Sequence, residues 1–220
     1  MPESSYGGIF DMDGVLVDSS EAHYQAWHRL GEEQGVPFDR ALFDHTFGMT
    51  NYQIIPMWLA DKADGPDVPA LSLRKEVLYR DAARTVLQPL DGVPELLDSL
   101  ASAGFRLAVG SSGPRANVEM TLEILNAADR FTAMATLEEV KTGKPDPEVF
   151  LIAARKLGLP PERCVVVEDA PQGVEAGLGA GAKVVAVTST RTADALEGAH
   201  LIVHSLREVD ANRMQALIDG

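Results

Sequence analysis

Cysteine is almost missing from this chain: Cys164 is the only one in 220 residues. No intramolecular disulfide is possible, and no His/Cys cluster has the spacing of a zinc site. Cys164 itself lies in the apolar run Cys164-Val165-Val166-Val167, which predicts a buried strand residue rather than a nucleophile. Positive charge is also scarce, with 19 Lys and Arg against 33 Asp and Glu and a net charge of −14. Nucleic acid demands basic surface to displace counterions, so it is not expected as a partner. A run of about 18 apolar residues, the minimum for a membrane-spanning helix, occurs nowhere. The opening Met1-Pro2-Glu3-Ser4-Ser5 has neither the basic nor the apolar region of a secretion signal, and a cytoplasmic protein is expected; nothing in the sequence bears on assembly, and a monomer is the default expectation. Apolar residues nonetheless make up 45% of the chain, enough for one substantial core, with or without an insertion.

What is present is organised around Ile9-Phe10-Asp11-Met12-Asp13-Gly14-Val15-Leu16-Val17-Asp18. An apolar strand, Tyr6 to Phe10, runs into two aspartates one residue apart. Two carboxylates about 4 Å apart repel by roughly 4 kcal/mol at a surface-like dielectric. A bound cation, or a proton held at the right moment, relieves that repulsion.

Beyond Asp18 the periodicity is helical. Asp18 and Glu21 have capping-box spacing for a helix over 19–34, which carries Ala22, Ala26 and Leu30 on one face beside His23 and Trp27. Ile54, Ile55, Met57, Trp58 and Leu59 belong to another helix, where Pro56 is tolerable only near the first turn. A loop at Asp64-Gly65-Pro66-Asp67 precedes a third, opened by Pro69. Residues 19–85 thus predict an all-helical unit inserted into a core formed by 1–18 and 86–220.

From Pro89 onward strands and helices alternate. Asp91 is placed to cap a helix ended by Gly104. Strands are expected at Phe105–Val109, Phe131–Ala135, Cys164–Val167, Val184–Val187 and Leu201–Val203, with helices after Pro114, Pro147 and Pro171 and over the last dozen residues. The fold class that follows is α/β, a doubly wound parallel sheet covered on both faces. Ligands of such sheets bind outside the carboxyl ends of the strands. The polar residues there are Asp11 and Asp13, then Ser111 and Ser112, then Lys144, then Glu168 and Asp169. Four carboxylates facing a hydroxyl and an ammonium make a hard, oxygen-rich cation site beside an anion pocket. Mg²⁺ suits it, since it takes a few carboxylates and keeps places for water and phosphate oxygens.

In this order the motifs resemble those of the haloacid dehalogenase superfamily of phosphatases and phosphomutases, most nearly its β-phosphoglucomutase-like branch with a helical cap. The resemblance rests on Phe10-Asp11-Met12-Asp13-Gly14-Val15, Val109-Gly110-Ser111-Ser112, Gly143-Lys144-Pro145-Asp146-Pro147 and Glu168-Asp169. It implies that Asp11 is a nucleophile forming an aspartyl-phosphate and that Asp13 is the acid and base. It also implies that Ser111 and Lys144 hold the transferring phosphoryl group, with backbone amides near Met12 and Ser112 as further donors. The metal ligands it implies are Asp11, the main-chain carbonyl of Asp13, and Asp169, with Glu168 in or next to the shell. The substrate would be a small phosphorylated metabolite, such as a sugar phosphate.

Further substrate-side candidates are His23, twelve positions after Asp11, and Arg115 in a helix's first turn; Lys141 reads as a surface lysine. His45, Lys62, Arg74 and Lys75 are weaker candidates on the helical insert. Asp13 disfavours dehalogenation, because dehalogenases lack that acid and use no magnesium. The mutases resembled here carry a Gly-x-Ser-Arg stretch where this chain has Gly48-Met49-Thr50-Asn51, so the arginine that holds a distal phosphate is replaced by Asn51. Phosphomonoester hydrolysis is the first expectation and β-phosphoglucomutase the alternative. A non-catalytic phospho-acceptor domain is a remote third, since it has no helical insert and no counterpart of Asp13.

Overall fold

The computed structural model describes residues 5–60 and 65–220. The chain divides into two compact units, one formed by the segment ending at Asp18 together with Gln88–Gly220, the other by Ser19–Leu87.

The first unit is built on a parallel sheet of six strands: β1 (Gly7–Phe10), β2 (Arg106–Gly110), β3 (Phe131–Ala135), β4 (Cys164–Glu168), β5 (Lys183–Val187) and β6 (Leu201–Val203), in the order β3-β2-β1-β4-β5-β6. β1 and β4 are buried along their whole length, as strands covered on both faces are. Two glycines open β1 because its flanks are crowded; a Cβ at Gly7 would lie 2.7 Å from the Cys164 Sγ. Cys164 is buried there, and burial pushes its thiol up to about 12, which leaves it inert at neutral pH. α7 (Glu148–Leu157) lies across β1, β2 and β3, and α8 (Pro171–Gly179) across β4 and β5. α5 (Val93–Ser102) packs on α9 (Ala211–Asp219), and α9 on β4, while α6 (Arg115–Ile124) follows β2. Gly158 ends α7 with a left-handed φ of 69°, the conformation a residue without Cβ adopts at least cost.

Strand register decides what meets at the carboxyl edge. Phe10 is aligned with Val109 on one side and with Val167 on the other, and Glu168 with Ala186. The chain direction of the crossovers reverses between β1 and β4, so the crevice of this sheet opens where those two strands end.

The second unit is helical: α1 (Ser20–Gln34), α2 (Arg40–Thr46), α3 (Asn51–Trp58) and α4 (Val68–Val86). α1 pairs with α4 and α3 with α4. Its core is aromatic, with Trp27 stacked on Phe38 at 5.0 Å and Trp58 edge-on to both.

Three local expectations are corrected. α1 is capped at Ser19, one residue beyond Asp18, with no side-chain cap bond. Pro56 sits late in α3, not in its first turn; its ring lies on the exposed side of a helix of only eight residues, where the carbonyl left without a donor can be hydrated. The cap of α5 is Gly92 at φ 87°, because the Asp91 carboxylate instead accepts hydrogen bonds from Ser205 Oγ and Arg207 Nε, both at 2.7 Å.

Candidate active site

Asp11 immediately follows β1, and its N–H donates to the Val167 carbonyl at 3.0 Å, extending the β1–β4 ladder by one residue. The chain then closes a tight loop in which Leu16 and Val17 donate to the Met12 carbonyl and Gly14 donates to that of Val17. Gly14 has φ 77°, and a Cβ there would lie 2.1 Å from Asp169 Oδ2. Only glycine fits between this turn and that carboxylate.

Lys144 ties the two halves of the crevice together. Its ammonium donates to Asp11 Oδ1 at 2.7 Å and to Glu168 Oε1 at 2.6 Å, and lies 4.8 Å from the centroid of the Phe150 ring. Its side chain is only 11% exposed and that of Glu168 1%, so these are desolvated pairs. Glu168 is fully committed: its other oxygen accepts from the backbone N–H groups of Asp169 and Ala170. α8 starts directly behind it, so close that a Cβ on Gly173 would fall 1.9 Å from the Glu168 carboxyl carbon. Glu168 therefore serves first as the anchor of Lys144 and of the turn that carries Asp169.

Ser111 follows β2 and is buried; its N–H donates to Ala135, and its hydroxyl oxygen accepts from the Gly113 N–H at 3.0 Å. The Ser112 side chain is exposed.

The electrostatics are those of an acid cluster short of positive charge. Burial raises the Asp11 carboxyl well above the usual range; Lys144 opposes this, while Glu168, Asp169 and Asp13 add to it. Burial, with Glu168 next, pushes Asp169 up to about 7. Burial would depress the Lys144 ammonium, but Asp11 and Glu168 outweigh it and raise it. Among the described residues, Asp11, Glu168 and Asp169 form a group whose ligand oxygens all lie within 4.8 Å of one another. The donors are hard, buried and in excess of their single ammonium, and a small oxygen-seeking divalent cation such as Mg²⁺ fits them.

Two residues that the motifs do not cover complete this neighbourhood. The loop after β5 sends the Thr190 hydroxyl to Asp169 Oδ2 and the Ser189 hydroxyl to the Gly14 carbonyl. Their signal was positional, since Thr188-Ser189-Thr190 is the polar segment that follows a strand adjoining β4.

Among the other sequence candidates, Arg115 is bound within its own unit, its N–H to Glu138 and its guanidinium to Glu139 and Glu119. Lys141 and His45 are exposed, and Arg74 makes a two-pronged pair with Glu33 at 2.6 and 2.9 Å. Lys62 lies outside the described residues. His23 belongs to a polar cluster inside the helical unit. Its Nδ1 is 2.8 Å from Lys75 Nζ, its ring stacks on Tyr79 at 4.2 Å, and Lys75 also pairs with Glu76 at 2.9 Å. Burial, then the Lys75 charge, holds His23 well below its ordinary pKa.

The sequence profile of the haloacid dehalogenase-like hydrolases matches residues 8–187. Hexitol phosphatase A of Escherichia coli is 36% identical over 211 residues, which cover 94% of this chain and 94% of that protein. The β-phosphoglucomutase of Bacillus subtilis is 30% identical over 210 residues, 91% of this chain and 90% of that one. A crystal structure described as a HAD hydrolase of family IA, variant 3, from Entamoeba histolytica superposes with a TM-score of 0.86 at 26% identity, covering 98% of this chain and 100% of the other. The chain belongs to the haloacid dehalogenase-like hydrolases. It is an enzyme of their phosphatase and phosphomutase group.

Proposed function

We propose that this protein is a Mg²⁺-dependent phosphomonoesterase that acts on a small phosphorylated sugar or polyol through an aspartyl-phosphate on Asp11. The observation that carries the reading is the bridge from Lys144 to Asp11 and Glu168, with Asp169 in the same oxygen cluster. It gathers a nucleophilic carboxylate, an ammonium and a cation site from three separate loops.

In the first half-reaction an Asp11 carboxylate oxygen attacks phosphorus and the bond from phosphorus to the ester oxygen breaks. Asp13 passes its proton to the departing alkoxide, so the alcohol leaves neutral. In the second, Asp13 takes a proton from water, which attacks the same phosphorus; the bond to Asp11 breaks and inorganic phosphate is released. Ser111 and Lys144 hold the phosphoryl oxygens, and the Lys144 charge favours the ionised form of Asp11 against the effect of burial. Asp11, Asp169 and the Asp13 carbonyl would hold Mg²⁺, with Glu168 steadying both Lys144 and Asp169. When bound, the ion supplies positive charge against the phosphoryl oxygens.

A sugar or polyol phosphate is favoured by the likeness to hexitol phosphatase A. The mutase alternative draws on the Bacillus relative. Against it stands Asn51, in the place of the mutase arginine, whose amide is engaged with Glu76 at 2.8 Å and Ser72 at 3.1 Å. The test is phosphate release from a panel of hexitol and sugar phosphates, with and without Mg²⁺. Wild-type protein is expected to release phosphate only with the ion, and Asp11→Asn and Asp13→Asn to lose that activity. Full activity in either variant overturns the roles. Conversion of β-glucose 1-phosphate to glucose 6-phosphate, primed by the bisphosphate and without free phosphate, would establish the mutase instead.

A further inference from the structure

Of the three acids whose oxygens lie together, Asp11 and Glu168 are each held by Lys144, whereas the Asp169 carboxylate takes its hydrogen bond from another part of the chain. The loop after β5 supplies it. We propose that Thr190 is a positioning residue for the cation site: its hydroxyl, donated to Asp169 Oδ2, sets the plane of that carboxylate so that it presents one fixed face to the ion. The proposal rests on the Mg²⁺ reading of the acidic cluster given above.

Three observations converge on it. Asp169 is buried, and an aspartate carboxylate rotates in a broad, twofold well unless a donor holds one oxygen. The Thr190 hydroxyl oxygen stands within reach of both Asp169 Oδ2 and, at 3.3 Å, the Asp169 main-chain carbonyl, so it is seated against this one residue. Asp169 Oδ2 is also wedged sterically: the space a Cβ on Gly14 would occupy lies 2.1 Å from it and 2.9 Å from the Thr190 methyl carbon. The same loop is fastened to the first acidic turn, because Ser189 donates to the Gly14 carbonyl. Thr188 pins its base, with its N–H on the Val203 carbonyl at 2.9 Å. One short segment thus spans from the Asp11–Gly14 turn to Asp169, the two sides of the crevice. Donors that hold a ligating carboxylate in this way typically change metal affinity 10–100-fold when removed.

The test is Mg²⁺ titration of the full chain by calorimetry without substrate, with circular dichroism as the check on folding. Thr190→Val removes the donor at constant shape; Thr190→Ala, which is smaller, covers the case in which valine does not fold. Both are expected to raise the Mg²⁺ dissociation constant about 10–100-fold, and Thr190→Ser to stay within about threefold of wild type, since it keeps the hydroxyl. A further readout separates orientation from general damage: at saturating Mg²⁺ the valine variant is expected to recover most of its kcat. Unchanged affinity in the folded valine or alanine variant overturns the proposal. So does a loss in Thr190→Ser as large as in Thr190→Val, because the hydroxyl would then not be the agent. Absence of any Mg²⁺ binding by wild-type protein would instead overturn the parent reading of the cluster.

Discussion

Replacing Lys144 by methionine tests the electrostatic core of the site. The substitution keeps the length and apolar stem but deletes the charge that two carboxylates share at 2.7 and 2.6 Å, in side chains 11% (Lys144), 12% (Asp11) and 1% (Glu168) exposed. Removing one partner of a buried ion pair costs roughly 3–5 kcal/mol, because the remaining charge is left uncompensated. The sign of the pH dependence follows from Asp11. Its carboxyl already titrates above the ordinary range with Lys144 in place, and losing the ammonium drives it higher. A folded state that binds a proton more tightly than the unfolded one loses stability as pH rises between the two pKa values, by about 1.4 kcal/mol per pH unit. The deficit of Lys144→Met relative to wild type is therefore expected to be small near pH 4 and to reach about 3–5 kcal/mol by pH 7.5. Urea unfolding in EDTA at several pH values measures it directly, since Lys144 keeps its own charge across that range. A deficit under about 1 kcal/mol at pH 7.5, or one of equal size at pH 4, would refute the argument that this lysine neutralises the cluster.

Two further predictions address other residues. His23 is held neutral in the folded helical unit, so its contribution to stability is complete above pH 6.5 and lost at about 1.4 kcal/mol per pH unit below it, down to its depressed folded pKa; a His23→Asn variant is expected to lack that slope, and parallel wild-type and variant curves would count against it. Gly14→Ala is expected to cost about 1–2 kcal/mol from the left-handed backbone alone and, because the new methyl displaces Asp169 Oδ2, to weaken Mg²⁺ binding as well. Chemical denaturation and metal titration of the same sample report the two effects separately.

The acidic turn was legible early because its residues are adjacent and their types are chemically odd after an apolar strand. Lys144 and Glu168-Asp169 were legible for a related reason: parallel strands bring successive carboxyl ends to one edge, whatever the strand order. The motif residues also stand in glycine- or proline-marked turns, which a linear reading detects. Thr190 had no such marker. Threonine and serine after a strand are commonplace, and only the pairing of β5 beside β4 turns that segment toward Asp169. Asp91 shows the opposite failure. Its spacing suits a helix cap, but Ser205 and Arg207, more than a hundred residues away, offer its carboxylate stronger partners. Arg115 stands at a helix start, as an anion-binding arginine can, but three glutamates distant or local in sequence take up its donors.

By itself the sequence determined the alternation of strand and helix, the presence of a helical insert, and the set of carboxylates, hydroxyl and ammonium available for chemistry. These follow from side-chain periodicity and from residue type, both of which are properties of a linear string. Tertiary structure alone decided which oxygen each donor takes: Lys144 on Asp11 and Glu168, the Asp169 and Ala170 amides on Glu168, Thr190 on Asp169. Hydrogen bonds act over about 3 Å and fail when misaligned, so they depend on strand register and backbone path, which the whole sheet sets at once.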